Sequence, residues 1–260
     1  MSSSPKPVLS YRIWGTQRSG SSMLAKALEQ TGVAGRPEEL FNIGLDSTMA
    51  ENHGVDNYEA LRARMWEIGS SENGVFASKY HHSSAYYNLI FQEICVLRGI
   101  DPEQVTNHEV IWQDLFPNNH PIYLTRRNKV RQAVSWWKAI KSEQWHIRPT
   151  EKRVELPSDF YEKHYDFAAL SHLYHQCVLK ECATEAYFQK HGMTPVTVVY
   201  EDLCRDYSGQ INRILNYLGI EHKVADAEHT FYTRTADQAS EVWVQRFRRD
   251  LQKNWSHSDW

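Results

Sequence analysis

The chain has 260 residues, 41% of them hydrophobic and 23% charged, which suits one α/β domain with a sizeable core. Its formal net charge of −3 excludes the overall basic footprint of a nucleic-acid binder. With that charge, any anion site must be a local cluster of Lys and Arg; no apolar run approaches the ~18 residues of a membrane span.

The opening Met1-Ser-Ser-Ser-Pro-Lys-Pro7 lacks the hydrophobic stretch of a signal peptide. Residues 1–9 therefore read as a flexible tail and 10–260 as a single domain. A first strand is expected over Tyr11–Gly15, followed by the small-residue turn Thr16-Gln-Arg-Ser-Gly-Ser-Ser22. A helix over Ser21–Gln30 follows, with Leu24, Ala27 and Leu28 at helical spacing. Such a turn lets backbone N–H groups close around an anion, with the helix N-terminus aimed at the same place. The nucleoside-triphosphate version of this loop needs G-x-x-x-x-G-K-[ST], which does not occur here. Arg18, inside the loop, supplies the charge instead.

Further strands are expected over Gly74–Lys79, Pro121–Thr125 and Pro195–Tyr200, each bounded by Gly or Pro. Helical patterns fall at Tyr58–Ile68, Ala85–Leu97, Lys129–Lys141, Tyr161–Lys190 and Gly209–Leu218. This alternation implies a P-loop-like central parallel sheet flanked by helices, with ligands beyond the carboxyl ends of the strands. Within Tyr161–Lys190, Phe167, Leu170, Tyr174 and Cys177 mark a core-packing helix. His172 and His175 share it without a third ligand, so no metal site is expected. Cys95, Cys177, Cys182 and Cys204 form no C-x-x-C pair and read as reduced, buried thiols of a cytoplasmic protein.

The expected strand Pro121–Thr125 delivers Arg126 and Arg127 at its end, and Asn128 is a good N-cap for the next helix. Val130, Ala133, Val134, Trp137 and Ile140 make an apolar stripe, while Arg131, Ser135, Lys138 and Ser142 fall on another face. A strand-end arginine and Ser135 can thus point into one space, the guanidinium fork suiting a phosphate and the hydroxyl adding a neutral donor. A solvated basic helix face explains the same pattern, and the residues alone do not separate the two.

Together these segments resemble sulfotransferases that use 3′-phosphoadenosine 5′-phosphosulfate (PAPS), and in particular the branch of the bacterial trehalose 2-sulfotransferases. The resemblance is carried by Thr16–Ser22, Thr31–Phe41, Gln132-Ala-Val-Ser135-Trp-Trp137, Val199–Leu203 and Arg234–Asp250, in family order over about residues 8 to 252. It implies an enzyme that moves a sulfuryl group from PAPS to a hydroxyl of a carbohydrate, glycolipid precursor or small metabolite. It also implies binding of the 5′-phosphosulfate by Arg18, Ser19, Gly20, Ser21 and Ser22, and of the 3′-phosphate by Arg126 and Ser135. Arg127 replaces Arg126 if the register shifts by one. The segment containing Arg234, Gln238 and Trp243 is expected to fold over the nucleotide. Arg246, Arg248 and Arg249 read mainly as an exposed helix end. A homodimer is also implied.

Sulfuryl transfer needs neutralised charge at the leaving oxygen, for which Arg18 and Lys79 are the candidates, without a metal. It also needs a base for the acceptor hydroxyl. The resemblance assigns that role to Glu39, in Pro37-Glu38-Glu39. The wider superfamily often uses a His two residues after a strand-terminal Lys, and Lys79-Tyr80-His81 has this form, a departure from the trehalose-type pattern. A carboxylate near arginine is a weak base unless burial or substrate raises its pKa, whereas imidazole sits near neutrality. Glu39 is the expected base and His81 a substrate contact or auxiliary acid–base group. The acceptor pocket is expected from Asn42–Asp56, His81–Tyr87 and Gln144–Asp159, with Trp136, Trp137, Trp145 and Tyr86 as core or stacking residues. The alternatives are a P-loop kinase-like phosphotransferase, disfavoured by the missing Walker lysine, and a non-catalytic nucleotide-binding module.

Overall fold

The computed structural model describes residues 5–42, 47–81, 84–145, 155–224, 238–253 and 255, with only the backbone at 81, 84–86, 238 and 239. Four strands, β1 (Leu9–Gly15), β2 (Val75–His81), β3 (Ile122–Thr125) and β4 (Val196–Val199), form one parallel sheet in the order β2-β1-β3-β4. The helices are α1 (Ser21–Gln30), α2 (Met49–His53), α3 (Tyr58–Gly69), α4 (Ser84–Leu97), α5 (His108–Leu115), α6 (Lys129–Ser142), α7 (Phe160–Lys163), α8 (Phe167–Lys190), α9 (Tyr200–Arg205), α10 (Tyr207–Tyr217) and α11 (Gln238–Gln252).

Every residue of β1 is buried, as expected for a strand covered on both faces. Tyr11 and Ile13 pack with Leu24 and Leu28 of α1 and Ile211, Ile214 and Leu215 of α10. Trp14 lies in the aromatic core on the opposite face, with Phe41, Phe76, Trp112, Phe116 and Phe188. The chain leaves β1 for β2 on one side and reaches β3 on the other. The crevice between the carboxyl ends of β1 and β3 is therefore a switch point, where ligands of such sheets bind.

All four expected strands are present, and α1 has the expected bounds. The single helix expected over Tyr161–Lys190 is two. The Asp166 carboxylate accepts from the Ala169 N–H at 3.0 Å and starts α8 afresh, leaving α7 as one short turn. Tyr200, expected to end the last strand, opens α9. The apolar stripe of α6 is also wider than expected: Trp136 is buried and Ile140 is 38% exposed. The reason is that α6 is covered on two sides. Ala133 and Trp136 meet Leu173 and Cys177 of α8, while Val134 meets Trp243, Val244 and Phe247 of α11. The cysteines are all free thiols, but only Cys95 and Cys177 are buried, whereas Cys182 and Cys204 lie on outward faces of α8 and α9. No helix among the described residues is long and apolar enough to cross a membrane.

Candidate active site

The turn after β1 carries two left-handed residues, Arg18 at φ +61° and Gly20 at +97°. For Arg18 this is a costly conformation, and such strain concentrates at binding sites. The turn closes on Thr16, whose carbonyl accepts from the Ser19 N–H at 3.2 Å and the Ser19 hydroxyl at 2.7 Å. Gly20 is the N-cap of α1 and brings no side-chain cap, so the positive end of a ten-residue helix is directed at this loop. A Cβ at Gly20 would come within 2.5 Å of the Tyr200 ring, so the position needs glycine both for its backbone and for its space.

Lys79, on β2, is only 8% exposed and lies beside this helix start. Its ammonium donates to Ser22 Oγ at 2.9 Å and pairs with Glu39 Oε1 at 2.8 Å. Local pairing explains how Glu39 reaches it. Glu38 bridges Ser78 in parallel, and its carbonyl accepts from the Lys79 N–H at 2.9 Å and the Ser78 hydroxyl at 3.1 Å. The turn before it approaches the sheet at Gly35 (φ +72°), where a Cβ would lie 2.8 Å from the Val75 carbonyl. Ser22, Lys79 and Glu39 thus form one continuous chain of contacts. The Glu39 side chain keeps 38% exposure, open to a substrate.

On the other side of the loop, the strand-end arginines part company. Arg126 is 6% exposed, donates to the Arg18 carbonyl at 3.1 Å, and lies 4.5 Å over the Tyr200 ring. Arg127 turns outward to a two-pronged pair with Asp202, at 2.9 and 2.5 Å. Asn128 caps α6 as expected, accepting from the Arg131 N–H at 3.0 Å. Ser135, two turns into α6, receives the Arg18 Nε–H at 3.1 Å, and Arg18 also donates to the Trp145 carbonyl. Burial first, and the nearby Arg126 charge second, push the Arg18 guanidinium down to about 10 against an opposing effect of Tyr200. It remains protonated at neutral pH, and an anion between the two arginines would favour that charged form.

The expected residues Arg18, Ser22, Lys79, Glu39, Arg126 and Ser135 are therefore gathered around one loop. Ser19 and Ser21 are buried within it. Arg127 stands apart. His81 ends β2, but its side chain lies outside the described residues, as does that of Gln238, which opens α11; Arg234 lies outside them altogether. Fully buried Trp243 anchors α11, donating from Nε1 to the Tyr161 carbonyl at 2.5 Å, and Arg131 ties α6 to Glu241 of α11 at 2.7 Å. Arg246, Arg248 and Arg249 are exposed. His172 and His175 are exposed on α8, and no group of three or more metal-ligating side chains occurs among the described residues.

Sequence reasoning gave no role to the supports of this site. Tyr200 underlies both Gly20 and Arg126. From α8, Lys180 Nζ donates to Gln17 Oε1 at 3.0 Å. Buried Glu181 accepts from Thr125 Oγ1 at 2.8 Å and pairs with Lys129 at 2.6 Å. Because α8 pins both the loop after β1 and the end of β3, it is more than the core-packing helix its periodicity suggests. The local signal was an adjacent Lys-Glu pair on an otherwise apolar helix turn.

The profile of the Stf0 sulphotransferase family matches residues 10–250. Trehalose 2-sulfotransferases of Mycobacterium tuberculosis (strain Erdman) and Mycolicibacterium smegmatis are each 27% identical to this chain, over 94% of it and 96% of their own length. A solved sulfotransferase from Alicyclobacillus acidocaldarius covers 94% of the chain and 92% of its own at 14% identity, with a TM-score of 0.46, too loose a likeness to carry weight. With the profile spanning nearly the whole chain, the protein belongs to the Stf0 sulphotransferase family, and its chemistry is sulfuryl transfer.

Proposed function

We propose that the chain transfers the sulfuryl group of PAPS to a hydroxyl of a carbohydrate, a glycolipid precursor or a small metabolite, with Glu39 as general base. The observation that carries this reading is the contact chain Ser22–Lys79–Glu39, which joins the anion-facing end of α1 to a half-exposed carboxylate. The sugar preference is suggested by the trehalose enzymes to which the chain is similar.

The residues fit a donor with two anionic ends. Arg18, Ser19, Gly20, Ser21 and Ser22 take the 5′-phosphosulfate at the loop and helix N-terminus. Arg126 and Ser135 take the 3′-phosphate, and the segment around Arg234 and Gln238 folds over the nucleotide. The donor supplies the sulfuryl group and its leaving group, adenosine 3′,5′-bisphosphate. Lys79 and Arg18 neutralise charge growing on the leaving oxygen. Glu39 accepts the acceptor's hydroxyl proton as its oxygen attacks sulfur, and Lys79, shared with Ser22, holds that carboxylate against the transfer site. His81, which ends β2, serves in this reading as a substrate contact or auxiliary acid–base group. No step calls for a metal. The cytoplasmic placement and the homodimer belong to the same reading; light scattering that gives only monomer mass at micromolar concentration removes the dimer.

The test is incubation with sulfur-labelled PAPS and a panel of sugars, with a chelator present. Formation of a sulfate ester with equal release of adenosine 3′,5′-bisphosphate is expected. Transfer from ATP that needs Mg²⁺ would contradict the reading.

The two arginines give a sharper expectation. Arg126→Ala is expected to weaken adenosine 3′,5′-bisphosphate about 10- to 100-fold, the scale of one or two charge-assisted hydrogen bonds, and adenosine 5′-phosphate much less. Arg127→Ala, which removes a surface pair with Asp202, is expected to change either by less than about threefold. Titration calorimetry on both variants measures this, and the reverse order would move the 3′-phosphate to Arg127.

A further inference from the structure

Gln132 is fully buried on α6, one turn before Ser135 and on the same side of the helix. Its Nε2 amide donates to Thr16 Oγ1 at 2.6 Å and to the Gln17 carbonyl at 2.8 Å. Thr16 is itself fully buried, and it is the residue on which the anion loop closes. The amide cannot be turned over, because its oxygen would then face the Gln17 carbonyl, two acceptors together. In the observed orientation Oε1 has no hydrogen-bond partner among the described residues. Packing alone would favour an apolar side chain of this size over a buried amide with one end unsatisfied. The two bonds from Nε2 must therefore do something that packing does not require.

What they join is specific. Thr16 and Gln17 belong to the loop, and Gln132 belongs to the helix that carries Ser135. Arg18 Nε to Ser135 Oγ also crosses this gap, and Arg126, between β3 and α6, reaches the Arg18 carbonyl, but both contacts are made by cationic side chains that the donor itself would engage. Gln132 and Thr16 are both fully buried, so the contact between them is not made by an exposed donor-binding group.

We propose that Gln132 is a positioning residue of the donor site, setting the separation between the loop that takes the 5′ anion and the helix position that takes the 3′ anion. The inference rests on the donor reading above. A ligand with two anions gains from both sites only if their spacing already matches it; the second contact is then made at high effective concentration. Loosening the spacing leaves each site usable alone and removes the gain from using both.

The test is titration of adenosine 3′,5′-bisphosphate, adenosine 5′-phosphate and adenosine 3′-phosphate into the wild-type protein, Gln132→Leu and Thr16→Val. For Gln132→Leu, the bisphosphate is expected to weaken by about tenfold or more while each monophosphate changes by less than about threefold. Thr16→Val keeps the bond to the Gln17 carbonyl and is expected to show the same pattern at smaller size, so it carries the test if Gln132→Leu does not fold. Unchanged bisphosphate affinity, or an equal loss for all three ligands, overturns the inference while leaving the donor reading intact. A wild-type protein that binds the bisphosphate no better than the monophosphates removes the donor reading, and this inference with it.

Discussion

Glu39→Gln is expected to lower the rate of sulfuryl transfer by about 10²–10⁴-fold, the contribution of one well-placed general base, while the affinity for adenosine 3′,5′-bisphosphate stays within about threefold. The substitution keeps the shape of the side chain and leaves an amide oxygen for Lys79, so the contact from Lys79 to Ser22 is not disturbed. What it removes is the ability to hold a proton. The split between binding and turnover is the informative part, because loss of both would mean that Glu39 only props up Lys79. Steady-state rates and calorimetry on the purified variant measure the two separately. If Glu39→Gln keeps most of its turnover and His81→Ala loses it, the base is the imidazole at the end of β2.

The second large effect concerns stability. Arg12 projects from the middle of β1 into the aromatic core, where it pairs with Glu109 at 2.9 Å and lies about 5 Å from the rings of Trp14, Trp112 and Phe116. Glu109 also accepts from Tyr187 at 2.5 Å, and Tyr187 continues to Tyr87, which contacts His108 Nδ1 at 3.0 Å. Glu109→Ala strands a buried guanidinium and is expected to cost about 3–5 kcal/mol; Arg12→Met together with Glu109→Leu is expected to cost less than Glu109→Ala alone. Urea unfolding measures both, and a double variant worse than the single would mean that the pair adds stability rather than merely avoiding a stranded charge.

The same cluster sets a pH dependence. Burial raises the Glu109 carboxyl, but the Arg12 charge and the hydrogen bonds from Tyr187 and Arg12 outweigh this and hold it below the usual range. Burial, then the Lys190 and His191 charges, lower His108 against the opposing pull of Glu109. Burial chiefly lowers His191 as well. In each case the unfolded chain binds more protons than the native one, so stability falls as pH falls. The histidine part is lost as pH drops from about 6.5 through the lowered native values, and the Glu109 part begins to be lost below about 4.3. The urea midpoint is therefore expected to be lower at pH 5.5 than at pH 7.5, with the difference reduced in His108→Gln. An equal or higher midpoint at pH 5.5 would contradict this.

The elements that place the Thr16–Ser22 loop were legible because each carries its own local signal. The β1 strand is bounded by Gly15, α1 shows a clear three- and four-residue spacing, and α6 announces itself with Asn128. From those three elements and the end of β3 follows the meeting of Arg18, Arg126 and Ser135. Glu39 was legible only through family resemblance, since its place beside Lys79 depends on the Glu38–Ser78 bridge, a pairing across 40 residues. Arg12 was invisible: in a short strand it reads as a surface charge, and the partner that justifies its burial lies 97 residues away on α5. That helix was itself overlooked, although Asn107 caps it and Ile111, Trp112 and Leu115 repeat at helical spacing. Ile140 was misplaced, and the core role of Trp136 was left unplaced on the helix, because a one-stripe reading assumes one buried face and α6 has two.

The most direct measurement is calorimetric titration of the wild-type protein with adenosine 3′,5′-bisphosphate against adenosine 5′-phosphate, without Mg²⁺. If the loop and the Arg126–Ser135 pair form one donor site, the bisphosphate binds tightly and affinity falls by tenfold or more, about 1.4 kcal/mol, when the 3′-phosphate is absent. Equal binding of the two ligands, or none, would contradict the assignment of Arg126 and Ser135 and with it the PAPS-dependent mechanism.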